Sequence, residues 1–188
     1  MNRAKLEKRR ILVTGGCGFI GSAVVRAFVR MGAEVFNVDA MTYAATHEST
    51  AEAADAGNYT FLKADIADTG AMKEAFAFFR PDAVLHLAAE SHVDRSIDDP
   101  SAFLHTNVTG TVSLLNAALG YWLRLGEEGK KDFRFVHVST DEVYGSADGG
   151  AVFDLESPYR PNSPYSASKA ASDHFVRAWN RTYGLPAL

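Results

Sequence analysis

The sequence predicts an α/β protein, a doubly wound parallel sheet with helices on both faces. Three observations carry this. Short apolar strands alternate with amphipathic helices along most of the chain. A glycine-rich turn, Thr14-Gly15-Gly16-Cys17-Gly18-Phe19-Ile20-Gly21, joins the first strand to the first helix. An acid, Asp39, stands where the second strand ends. Strands and helices that alternate at this length make parallel neighbours, covered on both sides.

Each element has its own signal. Arg10–Thr14 reads as the first strand. Phe19, Ile20, Ala23, Val24, Ala27, Phe28 and Met31 then recur at helical spacing, which predicts a helix with one buried stripe. Glu34–Asp39 and Tyr59–Lys63 read as the second and third strands. Residues 68–80 read as a helix stopped by Pro81, and 83–87 as the fourth strand. Asp99-Pro100 has the form of an N-cap followed by proline in the first turn. Leu104, Val108, Val112, Leu115, Leu119 and Trp122 would form the stripe of the helix it opens. Residues 133–139 read as the fifth strand, and 163–183 as a helix ended by Gly184 and Pro186. Leu185-Pro186-Ala187-Leu188 resembles a sixth strand just beginning, so the sequence is expected to be a truncated part of a longer chain.

Bulk properties narrow the class. A chain of 188 residues, 47% hydrophobic and 22% charged, can bury its own core as one soluble domain. A net charge of -4 leaves no basic footprint for nucleic acid. Residues 1–9 read as a flexible basic arm ahead of a domain over 10–188. No apolar run reaches membrane-spanning length, and the start lacks the apolar centre of a secretory signal. The one cysteine, Cys17, allows no internal disulfide and fits a cytoplasmic setting. No His, Cys or Asp spacing suggests a metal.

The glycine turn predicts a dinucleotide site. Gly15, Gly18 and Gly21 would let backbone N–H groups approach a pyrophosphate at the positive end of the helix. Asp39 can bond both ribose hydroxyls and would repel a 2′-phosphate, so NAD is favoured over NADP. Asp65-Ile66 follows the third strand, where an adenine edge could be read. Leu87-Ala88-Ala89 leaves the fourth strand with small side chains that let a cofactor lie close.

A second group of residues carries chemistry. Tyr165 and Lys169 share one helix face. An unperturbed Tyr ionises near pH ~10, and a neighbouring ammonium would lower that value. Ser139, Thr140, Asp141 and Glu142 leave the fifth strand on the side where open parallel sheets bind ligands. Neighbours on a regular strand point to opposite faces, so Asp141 and Glu142 must lie past it to work together.

These motifs resemble the extended short-chain dehydrogenase/reductases, and among them the sugar-nucleotide 4,6-dehydratases. The resemblance rests on residues 14–22, Thr42-Tyr43-Ala44, His86–Ile97, Thr106-Asn107-Val108, Ser139-Thr140-Asp141-Glu142-Val143-Tyr144-Gly145 and 163–170. It implies a Rossmann fold with the C-terminal substrate domain absent. It also implies dehydration of dTDP-glucose by internal hydride transfer through NAD. Tyr165, poised by Lys169, would take the C4 hydroxyl proton. Glu142 would act as base at C5, and protonated Asp141 as acid toward the C6 hydroxyl. Thr140 would bond the C4 oxygen, and Ser91 the substrate. Phe19, Ile20, Asp39, Ala40, Met41, Thr42, Asp65, Ile66, Leu87, Ala88, Ala89, Ser91 and Thr106 match cofactor contacts, as do Tyr165 and Lys169. The helices at 100–125 and 163–183 match those that pair two subunits into a homodimer.

Ala45-Thr46 departs from the Gly-Asn that usually follows Thr-Tyr-Ala in the family. The competing readings are another NAD-dependent nucleotide-sugar epimerase or decarboxylase, and an inactive NAD-binding fragment. The Asp141-Glu142 pair favours the dehydratase.

Overall fold

Alternation along the strands decides which face each helix covers. In β1 (Arg10–Thr14), Ile11 and Val13 point to one side and Leu12 to the other. Ile11 and Val13 join Val25, Val29, Val35 and Ala53 in one apolar cluster. Leu12 joins Phe36, Phe76, Val84, Leu114, Phe135 and Val176 in a larger one. Helices α1 (Phe19–Arg30) and α2 (Ala51–Ala54) line the first. Helices α3 (Thr69–Phe79), α6 (Thr111–Trp122) and α8 (Pro164–Tyr183) line the second. With β2 (Glu34–Asp39), β3 (Tyr59–Lys63), β4 (Ala83–His86) and β5 (Arg134–His137), the sheet has the order β3-β2-β1-β4-β5. Every pair is parallel. The expected doubly wound α/β architecture is present. The order reverses between β1 and β4, which opens a crevice at their carboxyl ends.

This is a computed structural model, and it describes residues 6–147 and 152–188. Residues 1–5 of the expected arm lie outside them. Residues 6–9 are held rather than free: Lys8 N–H donates to Gly32 O at 2.9 Å, and Leu6 packs against the smaller cluster. At the other end, Phe135 and Ala187 form a parallel bridge, and His137 N–H donates to Leu188 O at 2.8 Å.

Two expected stripes are displaced. The buried face of α1 is Gly21, Ser22, Val25 and Val29, while Phe19 is 95% and Ile20 61% exposed. The glycine turn sets this face, because the start of α1 must lie glycine-first against it. The expected helix from Pro100 is also not uniform. A short α5 (Pro100–Phe103) runs into a widened π turn, Leu104–Gly110, and then into α6. The widened turn rotates the register, so Phe103, Asn107, Leu114, Leu115, Ala118 and Tyr121 face inward and Leu104 is exposed. Three short helices, α2, α4 (Val93–Asp98) and α7 (Glu127–Asp132), carried no clear periodic signal.

Capping residues fix the ends. Asp68 accepts from Ala71 N–H ahead of α3, and Arg80 closes that helix in the left-handed region at φ 53°. Ser163 and Ser166 cap α8 reciprocally, with Pro164 in its first turn.

Phe135 is fully buried at the centre of β5 and touches the His86 ring edge-on. Phe135→Ala should cost about 3–5 kcal/mol, read as a lower urea midpoint with an unchanged slope.

Candidate active site

The site begins where β1 meets the exit of β4. Gly15 has φ +72°, and a Cβ there would lie 2.6 Å from Ala88 N. A Cβ on Gly21 would lie 2.0 Å from Gly15 O. Neither position can carry a side chain without moving backbone, and the space left is a backbone-lined cradle at the start of α1.

Asp39 is buried and holds the turn from below. Its Oδ2 accepts from Cys17 N–H at 2.9 Å, and its Oδ1 from Met41 N–H at 2.8 Å. A carboxylate oxygen has two lone pairs, so each keeps one for a ligand. Met41 does this at φ 58° and is not on the wall of the cleft.

That cleft has a volume of about 380 Å³. The structure brings Gly15, Gly18, Phe19, Ile20, Gly21, Asp39, Ala40 and Thr42 to its wall. Asp65, Ile66, Leu87, Ala88, Ala89, Ser91, Thr106, Tyr165 and Lys169 line it as well. Val38, Ala44, Ala45, Ala64, Glu90, Val138 and Ser139 also line it, though no sequence signal singled them out as cofactor contacts. Most are small residues at strand ends, where position rather than residue type brings them to the wall. The departing pair has defined places. Ala45 lines the cleft, while Thr46 caps a short turn and its N–H donates to Cys17 O at 3.2 Å. Off the cleft wall, the Arg95 guanidinium lies 3.9 Å above the Tyr43 ring.

Lys169 and Tyr165 form the far wall and are both buried. Lys169 Nζ donates to Val138 O at 2.6 Å. Burial pushes its ammonium down to about 8, against the pull of Asp173. Tyr165 departs from expectation. Burial raises its phenol above the ordinary value; a hydrogen bond with Thr140 works against this, and the charges of Glu142, Asp141 and Asp173 add to it. Burial first, and the neighbouring carboxylates after it, set this direction.

Thr140, Asp141 and Glu142 lie past the regular strand, as joint action requires. Thr140 Oγ1 accepts from Glu142 N–H at 3.3 Å and starts the 3-10 turn Asp141–Tyr144, which buried Val143 anchors. Both carboxylates are exposed beside the cleft rather than on its wall.

Asn107 has a positional role that the motif alone did not reveal. Its Oδ1 accepts from Glu90 N–H at 2.8 Å. Its Nδ2 donates to Glu90 O at 2.9 Å and to Ser168 Oγ at 2.8 Å. Ser172 Oγ donates to its backbone O at 2.8 Å. One amide thus ties the β4 exit to α8, next to Lys169. A buried amide inside an apolar helix was the available signal. His86 makes a parallel link, sharing hydrogen bonds with Thr14 Oγ1 at 2.8 Å and Thr111 Oγ1 at 2.9 Å.

A parallel sheet with a glycine cradle, an acid at the second strand and a buried tyrosine–lysine pair defines a Rossmann fold of the short-chain dehydrogenase/reductase type. Residues 12–188 match the GDP-mannose 4,6 dehydratase family, and the chain belongs to it. It is 58% identical to a probable dTDP-glucose 4,6-dehydratase of Sinorhizobium fredii, over 95% of this chain and 51% of that one. It is 56% identical to the dTDP-glucose 4,6-dehydratase of Neisseria meningitidis, over 96% of this chain and 51% of that one. The dTDP-glucose 4,6-dehydratase DesIV of Streptomyces venezuelae, solved with NAD and dTDP bound, superposes with a TM-score of 0.85 at 44% identity. That match covers 95% of this chain and 53% of DesIV. The chain spans about half the length of the curated relatives it matches.

The depressed Lys169 pKa has a consequence for stability. An unfolded lysine titrates near ~10.4, so between about 8 and that value the unfolded chain binds the extra proton. Stability contributed by this group therefore rises with pH across the window. Lys169→Met removes the titration. From pH ~7 to ~10 the parent chain should gain about 2 kcal/mol of stability relative to the variant, measured by urea unfolding. A constant difference would contradict a buried, charged Lys169.

Proposed function

We propose that this chain is the cofactor-binding and catalytic half of a dTDP-glucose 4,6-dehydratase, with NAD as its cofactor. The observation that carries the reading is the placement of Asp141 and Glu142. They stand side by side just past β5, where both charges act on the Tyr165 phenol. The similarity to dTDP-glucose 4,6-dehydratases supports it.

The residues present fit NAD. Gly15, Gly18 and Gly21 leave room for a pyrophosphate against the backbone, and Asp39 keeps lone pairs for ribose hydroxyls. Asp65 and Ile66 border the place for adenine, and Ala40, Thr42, Leu87, Ala88, Ala89 and Thr106 border the rest of the cofactor. When bound, NAD supplies a hydride acceptor and donor.

The side chains then manage the protons. Tyr165 Oη takes the proton of the sugar C4 hydroxyl, with Thr140 and Ser91 bonding the sugar. A ketone at C4 would acidify the C5 hydrogen, which Glu142 removes. Asp141, protonated once the sugar is bound, gives its proton to the departing C6 hydroxyl, which leaves as water; with hydride returned to C6, Glu142 would give its proton back to C5 to complete the 4-keto-6-deoxy product. Acid and base are adjacent but act on neighbouring carbons, so one turn serves both ends of the elimination.

The proposal extends to a homodimer through the helices around Pro100–Trp122 and α8. Leu104, Leu123 and Phe175 remain exposed on these helices. Sedimentation of the protein at twice its chain mass is the expected result. No helix among the described residues is long and apolar enough to cross a membrane. A cytoplasmic location is proposed separately, on the single cysteine, Cys17, which stands free.

A chimera tests the activity. Residues 1–188 replace the matching half of the Neisseria meningitidis relative, and dTDP-glucose is supplied with NAD. The expected product is a 4-keto-6-deoxy sugar nucleotide. A C4-epimerised hexose instead would overturn the reading. In the same chimera, Glu142→Gln should slow product formation about 10²–10⁴-fold and abolish exchange of the C5 hydrogen with deuterated solvent.

A further inference from the structure

Lys169 is a buried cation, and four parts of the fold bring polar groups to it. The end of β5 gives Val138 O, which accepts from Nζ. His86 on β4 and His137 on β5 face it, and burial lowers both imidazoles, with the lysine charge lowering them further. The π turn contributes the neutral Asn107, through Ser168. On α8 itself stand Tyr165 and, one turn beyond Lys169, Asp173. Asp141 and Glu142 act on Tyr165 from the 3-10 turn.

Asp173 is held as few carboxylates are. Ser139 Oγ donates to its Oδ2 at 2.5 Å, and Tyr159 OH to the same oxygen at 3.0 Å. His137 Nε2 lies 3.1 Å from Oδ1. The Asp173 side chain is only 12% exposed. Ser139 lines both the cofactor-type cleft and a second cleft that also exposes His137, Tyr159 and Asp173. The carboxylate therefore sits behind the catalytic wall.

We propose that Asp173 is a positioning residue for the tyrosine–lysine pair: clamped by Ser139 and Tyr159, its carboxylate is the counter-charge that keeps the buried Lys169 ammonium charged and seated at the cleft.

The clamp keeps that charge in place. Burial works to raise the Asp173 carboxyl, but the His137 ring 3.1 Å away and the hydroxyl donors of Ser139 and Tyr159 bring it below the usual value. Tyr159 is pushed up to about 12, by burial first and then by Asp173, so it keeps its proton and remains a donor. Burial alone takes Lys169 toward neutrality, and Asp173 opposes it. Without the carboxylate, a share of the lysine would lose its charge near neutral pH. The positive charge one helical turn from Tyr165 on α8 would then be weakened.

The inference rests on the proposed role of Lys169, but its test reads the amine directly. A failed dehydratase reading would show in the chimera's product and leave this measurement intact. The chain is labelled with ¹³Cε-lysine, Lys169 is assigned with Lys169→Arg, and its titration is followed by NMR. Asp173→Asn should lower the Lys169 midpoint by about one unit, and Asp173→Glu should restore most of it. An unchanged midpoint in Asp173→Asn overturns the proposal, as does an equal fall in Asp173→Glu. If Asp173→Asn fails to fold by circular dichroism, the Ser139→Ala/Tyr159→Phe double variant takes its place. That variant releases the clamp and keeps the carboxylate. A smaller fall in the same direction is then expected, and an unchanged midpoint overturns the proposal there too.

Discussion

Where β1 ends, the chain has no room for a side chain. The backbone of Gly15 lies against Ala88 at the exit of β4, and Gly21 lies against Gly15. This contact brings two strand ends together at the point where the sheet order reverses. It also sets the rotation of α1, which buries Gly21, Ser22, Val25 and Val29 and turns Phe19 outward. Asp39 then ties the turn to the end of β2 through Cys17 N–H. Cradle, cleft wall and helix register follow from one close approach of backbone to backbone.

A second set of links runs between elements through buried side chains. Asn107 joins the loop after β4 to α8 through Glu90 and Ser168. His86 joins Thr14, the last residue of β1, to Thr111 at the start of α6. Buried polar groups need partners, and here the partners belong to different elements. The glycine turn and the tyrosine–lysine helix are therefore positioned against each other by hydrogen bonds as well as by apolar packing. The widened turn at Leu104–Gly110 belongs to this arrangement: Asn107 lies within it, and Ser172 donates to its carbonyl.

Much of this was legible in the sequence, because strands and long helices announce themselves by period. Arg10–Thr14, Glu34–Asp39 and Tyr59–Lys63 were read with the bounds they have. The cap at Asp99, with Pro100 after it, was equally plain as a residue type, as was the need for Asp141 and Glu142 to leave the strand. Rotation about a helix axis was not legible. The stripe from Phe19 counted apolar residues, whereas close backbone contact selected the glycine and serine face. The stripe from Leu104 assumed a uniform helix, and a single widened turn moved it. Electrostatic direction was also hidden. Tyr165 was expected to feel Lys169, but burial and the carboxylates nearby decide its ionisation.

The exposed rings and chains at the head of α1 have a meaning beyond packing. Phe19 and Ile20 are apolar, wet and fixed at the rim of a cleft whose floor is backbone. The folded chain does not dry them by itself. That apolar surface leaves solvent only when something flat and partly apolar lies down beside it. The fold thus leaves part of its hydrophobic driving force unspent, held at the cleft mouth for the molecule that fills it.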